Sequence, residues 1–125
     1  MQTDTNQVVV VVDDDDAVRE ATAGLVRSFG WAVRTYASGV EFLQRDALDD
    51  IGCLISDVRM QALSGIEMHD QLLARGYTIP TLFITAFSTP DLKAKLSSRG
   101  VLAILDKPLD ATSIVDWLSV TLDRP

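Results

Sequence analysis

Residues 8–16 read VVVVVDDDD, a run of five valines followed directly by four aspartates. Valines that do not alternate with polar residues are typical of a strand buried on both faces, as strands in parallel sheets are. Carboxylates crowded at the end of such a strand repel one another unless a cation or a helix N-terminus compensates their charge. The stretch therefore predicts a parallel sheet whose first strand delivers negative charge to one edge.

The rest of the chain repeats this alternation of a short apolar segment with a helix-like segment. Further strands are predicted at residues 32–36, 53–56, 81–85 and 101–105. The first helix is predicted over residues 16–29, and the others begin at cap residues: Ser38 and Ser64, each followed three residues later by glutamate, Thr89 before Pro90, and Asp110. Strands that alternate with helices imply right-handed crossovers and a doubly wound α/β fold, with helices on both faces of a parallel sheet.

Length and composition favour a single soluble domain. The chain has 125 residues, 47% of them hydrophobic, and we predict one domain over residues 1–125 with its core between 8 and 122. A formal net charge of −7 disfavours binding to the phosphate backbone of nucleic acids. There is one cysteine, Cys53, and the sequence shows neither a signal-like N-terminus nor an apolar run long enough to span a membrane. We therefore predict a cytoplasmic location and no membrane partner.

Residues suited to phosphate and metal chemistry follow the predicted strands. Asp13 and Asp14 follow the first strand, Asp57 the third, Thr85 ends the fourth, and Lys107 follows the fifth. Ligands of open α/β sheets bind beyond the carboxyl ends of the strands, so these side chains are expected to meet. Clustered carboxylates suit Mg²⁺, an aspartate can form an aspartyl phosphate, and an ammonium and a hydroxyl can neutralise phosphoryl oxygens. Each residue alone would more often belong to an ordinary turn or cap, but their combination in this order favours a phosphoryl-transfer site.

Four stretches carry a resemblance to a known family: VVDDDDAVRE at 11–20, LISDVRMQALSGIE at 54–67, TLFITAF at 81–87 and LDKPLD at 105–110. Together they resemble the receiver domain of bacterial two-component response regulators, the CheY-like family. The chain is similar in particular to receivers that precede a LuxR-type DNA-binding domain. The resemblance implies a parallel sheet in the order 2-1-3-4-5 and control of transcription through an output module outside this chain.

The resemblance also implies roles for the residues around the acceptor. Asp57 would accept a phosphoryl group from a sensor histidine kinase. Asp13, Asp14 and Asp57 itself would bind Mg²⁺, and Arg59 would contribute its backbone carbonyl to the same ion. A receiver of this kind catalyses its own phosphorylation but is a signalling domain, not a turnover enzyme.

Two further residues would respond to the phosphate. Lys107 would contact the phosphoryl group, and its bond to Pro108 would be cis. Thr85 would be the switch hydroxyl that moves toward the phosphate. The surface formed by the fourth helix, fifth strand and fifth helix would then favour homodimers or release an attached effector. DNA would be contacted only indirectly, through the output module.

The chain departs from the family pattern at two positions. Gln61 stands where the family usually has proline, so we expect the loop of residues 58–63 to be less restrained. Ile104 stands where the family usually has the tyrosine or phenylalanine of the switch, so the usual route from phosphate to the output surface is in doubt. Phe87, two residues after Thr85, is hypothesised to restrict water at the acyl phosphate and lengthen its lifetime.

Other functions stay open at this point. A degenerate receiver that acts as a phosphorylation-independent interaction module is the main alternative, because of Ile104 and Gln61. A phosphatase of the haloacid-dehalogenase kind would carry a second aspartate two residues after the nucleophile, where this chain has Arg59. A flavodoxin-like cofactor binder would want a phosphate loop of Gly, Ser and Thr where this chain has aspartates.

Three further residues, His69, Cys53 and Trp117, are predicted to have structural roles. His69, the only histidine, is expected to be a surface or partly buried residue of the third helix. Cys53 is expected to be a buried, inert thiol. Trp117 is expected to dock against the sheet or lie at a partner face.

Overall fold

The computed structural model describes residues 8–44, 48–101, 103–107 and 110–122. Along these residues the elements are β1 (Val8–Val12), α1 (Asp16–Ser28), β2 (Val33–Tyr36), α2 (Gly39–Leu43), β3 (Ile51–Asp57), α3 (Gly65–Ala74), β4 (Thr81–Thr85), α4 (Pro90–Ser97), β5 (Ala103–Asp106) and α5 (Ala111–Thr121). The strands form one parallel sheet in the order β2-β1-β3-β4-β5. The α/β architecture and the strand order expected from the sequence are confirmed.

Strand boundaries differ from the prediction mainly at β5. The strand was predicted at residues 101–105, but Val101 donates its N–H to the carbonyl of Leu96 and closes the end of α4, after Gly100 turns the chain with a φ of 80°. β5 therefore starts later and ends on Asp106, opposite Thr85 in the register with β4. β2 starts one residue later than predicted, at Val33, and β3 starts earlier, at Ile51.

Helix starts follow the cap residues in the sequence. Asp15, the third aspartate of the opening run, accepts hydrogen bonds from the backbone of Ala17 and Val18 and caps α1. Ser64 and Glu67 form a complete capping box at α3. Part of the acidic run therefore serves the helix, which leaves Asp13 and Asp14 for the sheet edge.

The valines of β1 face two separate layers of the core. Val9 and Val11 pack with α1 and α5 on one face of the sheet, and Val10 and Val12 pack with α2 and α3 on the other. Because the strand is central and both faces are covered, every position needs an apolar side chain. This is the physical reason for the unbroken valine run.

His69, Cys53 and Trp117 lie inside or against the core. His69 was expected at the surface or partly buried, but only 5% of it is exposed, its ring packs edge-on against Phe83, and its burial lowers its pKa. Cys53 is buried, and desolvation raises its pKa to about 12, as expected for an inert thiol. Trp117 is half-buried and packs against the α1–α5 side of the core. Among the described residues, none of the helices combines the length and apolar character that crossing a membrane requires.

Candidate functional site

The carboxyl ends of the central strands bring the predicted site residues together. Asp13 and Asp14 follow β1, Asp57 is the last residue of β3, Thr85 is the last of β4, and Lys107 follows β5. The parallel register places the ends of β1, β3, β4 and β5 at the same edge of the sheet. Residues up to 94 positions apart in the chain thus become neighbours, because the crossover helices return each strand to the same edge.

Three carboxylates form a compact cluster at this edge. Asp13, Asp14 and Asp57 can each offer an oxygen so that the three atoms lie within 4.8 Å of one another. Asp13 and Asp57 are buried, with 3% and 7% of their surface exposed, while Asp14 is open to solvent. An all-oxygen donor set with one wet side fits Mg²⁺, which keeps several of its waters. The residues present therefore suit the metal that the family implies.

Burial sets the electrostatics of Asp13. Desolvation raises its pKa above the ordinary value, helped by the negative charges of Asp57 and Asp14 and opposed by a hydrogen bond from the backbone of Asp15. That bond joins Asp15 N to Asp13 Oδ1 over 2.9 Å. Asp13 thus holds a proton more tightly than an ordinary aspartate does, and a divalent cation would relieve the repulsion among the carboxylates.

Asp57 is held from two sides. Lys107 Nζ lies 2.9 Å from Asp57 Oδ2, and the backbone N–H of Arg59 donates to Asp57 Oδ1 over 3.1 Å. Burial by itself lowers the pKa of Lys107, but the hydrogen bond and charge of Asp57, with the charges of Asp13 and Asp15, outweigh it and raise that pKa. The lysine therefore stays an ammonium, with its charge directed at the candidate acceptor.

The hydroxyl of Thr85 is turned toward the backbone of the following loop. Thr85 Oγ1 accepts from Phe87 N and donates to Phe87 O, each over 3.2 Å. A cavity of about 130 Å³ opens beside it, lined by Asp57, Arg59, Thr85, Ala86, Phe87 and Lys107. The cavity joins the carboxylate, the ammonium and the hydroxyl in one space.

The loop after Asp57 contains a contact that the sequence analysis missed. The backbone N–H of Gln61 donates to Asp14 Oδ2 over 3.1 Å. A proline at this position has no N–H and could not make this bond. Glutamine therefore gives up the fixed φ of proline but ties the loop directly to the carboxylate cluster through its N–H. The sequence does contain a signal for this contact: Gln61, which has a backbone N–H, stands where the family usually has proline.

The same loop turns sharply at the next residue. Ala62 has a φ of 67°, and Leu63 N donates to Gln61 O over 2.7 Å. A hydrogen bond across a single residue with positive φ defines a γ-turn of the rare, strained kind. Strain of this sort persists where surrounding structure holds it, as the bond to Asp14 does here.

Ile104 lies on β5 against α4. It is half-buried and packs on the cluster of Val58, Ile66, Phe83, Leu96 and Val101. A groove of about 300 Å³ runs beside it, lined by Lys93, Leu96, Ser97, Val101 and Ile104. The predicted cis bond between Lys107 and Pro108 falls outside the described residues, because Pro108 is not among them.

Both the sequence and the structure of the chain resemble those of known proteins. A sequence profile described as the response regulator receiver domain matches residues 9–119, which is most of the chain. The chain belongs to the response regulator receiver domain family. Receiver domains take part in two-component signalling, and their general mechanism is phosphorylation on an aspartate.

Individual relatives agree with this assignment. The transcriptional regulatory protein FixJ of Azorhizobium caulinodans is 37% identical to this receiver domain over 116 residues, which are 93% of this chain and 55% of that protein. The solved structure of the response regulator StyR is 35% identical, with a TM-score of 0.83, and covers 93% of this chain and 59% of that one. A response regulator receiver protein from Burkholderia phymatum is 34% identical, with a TM-score of 0.78, and covers 93% and 94% of the two chains. The receiver domain thus spans about half the length of the curated relatives it matches.

Proposed function

We propose that this receiver domain accepts a phosphoryl group on Asp57 from a sensor histidine kinase, with Mg²⁺ held by Asp13, Asp14, Asp57 and the carbonyl of Arg59. The observation that carries the proposal is the contact between Lys107 Nζ and Asp57 Oδ2, set beside the three-carboxylate cluster. A buried carboxylate with an ammonium on one oxygen and an acidic cation site next to it is arranged for receiving a negatively charged group.

The chain's own groups account for the transfer. An oxygen of Asp57 forms the new bond to phosphorus while the bond from phosphorus to the leaving group breaks, and the leaving group departs with its electron pair. Lys107 stays protonated and neutralises phosphoryl oxygens, which is the contribution expected of a positioned cation in phosphoryl transfer. Mg²⁺ held by these carboxylates and the Arg59 carbonyl would supply further neutralisation of phosphoryl charge. The Thr85 hydroxyl keeps its proton and donates a hydrogen bond to a phosphoryl oxygen in place of the one it now donates to Phe87 O.

The consequence of phosphorylation is proposed for the longer protein. FixJ, of which the chain spans about half, is described as a transcriptional regulatory protein. We propose that the α4–β5–α5 face of this domain changes on phosphorylation, favours a homodimer and controls an attached DNA-binding module. The domain acts as a signalling switch and does not turn over a substrate.

An intact-mass measurement tests the acceptor. The protein is incubated with Mg²⁺ and acetyl phosphate, beside Asp57→Asn and, as a matched control, Asp116→Asn on the exposed side of α5. We expect one phosphoryl adduct on the parent and on the control, none on Asp57→Asn, and none after chelation of Mg²⁺. An adduct of equal extent on Asp57→Asn would overturn the assignment, and no adduct on the parent would favour a phosphorylation-independent interaction module.

Phe87 is placed where it could affect the rate at which water hydrolyses the aspartyl phosphate. Phe87 lines the cavity beside Asp57 and Lys107, although 78% of it is exposed. We propose that it restricts the approach of water to the acyl phosphate. Phe87→Ala should therefore lose its phosphate faster than the parent after the donor is removed, and equal rates of loss would refute this role.

A further inference from the structure

The loop between β4 and α4 is fastened to the end of β5 by one residue pair. Ser88 N donates to Asp106 Oδ1 over 3.0 Å, and Ser88 Oγ donates to Asp106 Oδ2 over 3.1 Å. Both oxygens of one carboxylate are thus engaged by one serine, 18 residues earlier in the chain. Hydrogen bonds to an ionised acceptor are stronger than neutral ones, and a two-point contact also fixes orientation.

This contact lies beside the hydroxyl that the phosphate would need. Thr85 is the register partner of Asp106, and Thr85 O accepts from Lys107 N over 2.8 Å. Three residues after Thr85, Ser88 leads directly into Thr89, the N-cap of α4. The pair therefore ties together the end of β4, the end of β5 and the start of α4.

The hydroxyl of Thr85 has a single proton, which limits what it can do. In this conformation the proton is donated to Phe87 O, and the oxygen accepts from Phe87 N. The same proton cannot also be donated to a phosphoryl oxygen on Asp57. To donate to a phosphoryl oxygen, Thr85 has to release the carbonyl of Phe87, and the loop of residues 86–88 then loses one of its two contacts with this hydroxyl.

We propose that Ser88 and Asp106 form a latch, which holds this loop in the conformation that keeps the Thr85 hydroxyl on Phe87 and opens when Asp57 is phosphorylated. The inference rests on the proposed function of Asp57. It assigns Ser88 and Asp106 as positioning residues for Thr85. Asp106 follows Ile104 by two residues on β5, so both side chains lie on one face of the strand, the face against which α4 packs. Opening the latch would therefore free the first turn of α4 beside Ile104.

A double-mutant cycle tests the latch. The fraction phosphorylated is measured against acetyl phosphate concentration for the parent, Ser88→Ala, Asp106→Ala and the double variant, with Asp116→Asn as a control for loss of an exposed acid. We expect Asp106→Ala to lower the donor concentration for half phosphorylation roughly two- to tenfold, the range for losing hydrogen bonds that favour the unphosphorylated state. Ser88→Ala should act in the same direction. The double variant should match Asp106→Ala alone, because both changes remove one contact.

Nuclear magnetic resonance of the Ser88 amide and the Thr85 methyl group separates the latch from a general charge effect. In the parent both signals should shift on phosphorylation, and in unphosphorylated Asp106→Ala they should already lie toward the phosphorylated positions. Fully additive effects in the cycle, or a Ser88 amide signal unmoved by phosphorylation of the parent, would overturn the latch while leaving Asp57 as acceptor. A parent that takes no phosphate at all would overturn the proposed function and the latch together.

Discussion

Asp13 is a buried carboxylate whose charge state affects the stability of the fold. Its pKa is raised above the ordinary value, chiefly by desolvation. The folded state then binds that proton more tightly than the unfolded state does. The stability contributed by this group is present below its ordinary pKa and is lost as the pH rises through the raised folded-state pKa.

Asp13→Asn should therefore stabilise the metal-free protein at neutral pH. Asparagine keeps an oxygen for the N–H of Asp15 but carries no charge that burial and Asp57 would oppose. We expect a higher urea midpoint than the parent at neutral pH, a smaller difference in acid, and loss of Mg²⁺ binding. The exposed Asp116→Asn should change the midpoint little, and a lower midpoint for Asp13→Asn than for the parent at neutral pH would contradict the argument.

Ala62 carries the backbone strain of the acidic loop. Its φ of 67° is unfavourable for a residue with a Cβ and ordinary for glycine. Ala62→Gly should raise the free energy of unfolding by about 0.5–1 kcal/mol, because relief of the strain exceeds the extra freedom of glycine in the unfolded chain. The matched control is Ala94→Gly on the exposed side of α4. This change should lower the free energy of unfolding by about 1 kcal/mol. If urea unfolding shows that both variants lose the same free energy of unfolding, Ala62 is unstrained.

At the scale of elements, the start of α3 is packed against the end of β3. A Cβ at Gly65, the first residue of α3, would run into the backbone oxygen of Asp57 and lie 2.9 Å from a ring carbon of Phe83. The same glycine donates its N–H to Val58 O over 2.9 Å. The helix therefore packs directly against the end of the strand that carries Asp57, the proposed acceptor.

Gly65→Ala should therefore be costly for both stability and phosphorylation. We expect a loss of about 2–4 kcal/mol in the free energy of unfolding, as for overpacking of a site that cannot expand, and a slower gain of the phosphoryl adduct because Asp57 shifts. Gly24→Ala is the control, since nothing lies within 4 Å of its Cβ in α1, and it should stabilise by up to about 1 kcal/mol. Urea unfolding and the intact-mass assay measure both effects; a Gly65→Ala variant as stable as the parent would contradict the packing argument.

At the scale of the whole molecule, the candidate metal site is assembled only by the fold. Its carboxylates come from the ends of β1 and β3, which the sheet brings side by side. A ligand that binds only the folded state stabilises it, by about 2.7 kcal/mol at a hundred times its Kd. Mg²⁺ should therefore raise the thermal midpoint of the parent and not that of Asp14→Asn, with sodium chloride of equal ionic strength as the control.

As the pH falls, stabilisation by Mg²⁺ should weaken at a higher pH than it would for a site of ordinary aspartates. A protonated carboxyl is a poor ligand, and the raised pKa of Asp13 makes it take up a proton at a higher pH than an ordinary aspartate. The rise in thermal midpoint on adding Mg²⁺ should shrink as the pH falls, beginning at a higher pH than protonation of an ordinary aspartate would produce. An increment that stays constant as the pH falls, while the protein remains folded, would show that Asp13 does not contribute to the site.

Much of the fold and the site could be predicted because local patterns determine them. The unbroken valines of β1 require burial on both faces, and caps such as Ser64 begin helices at positions readable from the chain. Once a parallel sheet follows, topology alone brings Asp13, Asp57 and Lys107 to one edge, whatever the details of their side chains. The sequence by itself therefore determined the architecture and which chemical groups meet.

Only the tertiary structure decided how those groups are connected. Asp14 accepts from Gln61, 47 residues away, and Ser88 holds Asp106 across 18. The turning of Thr85 toward Phe87 and the burial of His69 were equally absent from any local pattern. Such contacts depend on loop paths and rotamers, which are set by packing between distant segments. Hydrophobic periodicity and cap residues identify the element a residue belongs to, but carry no information about which distant N–H or hydroxyl lies within hydrogen-bond distance of a carboxylate.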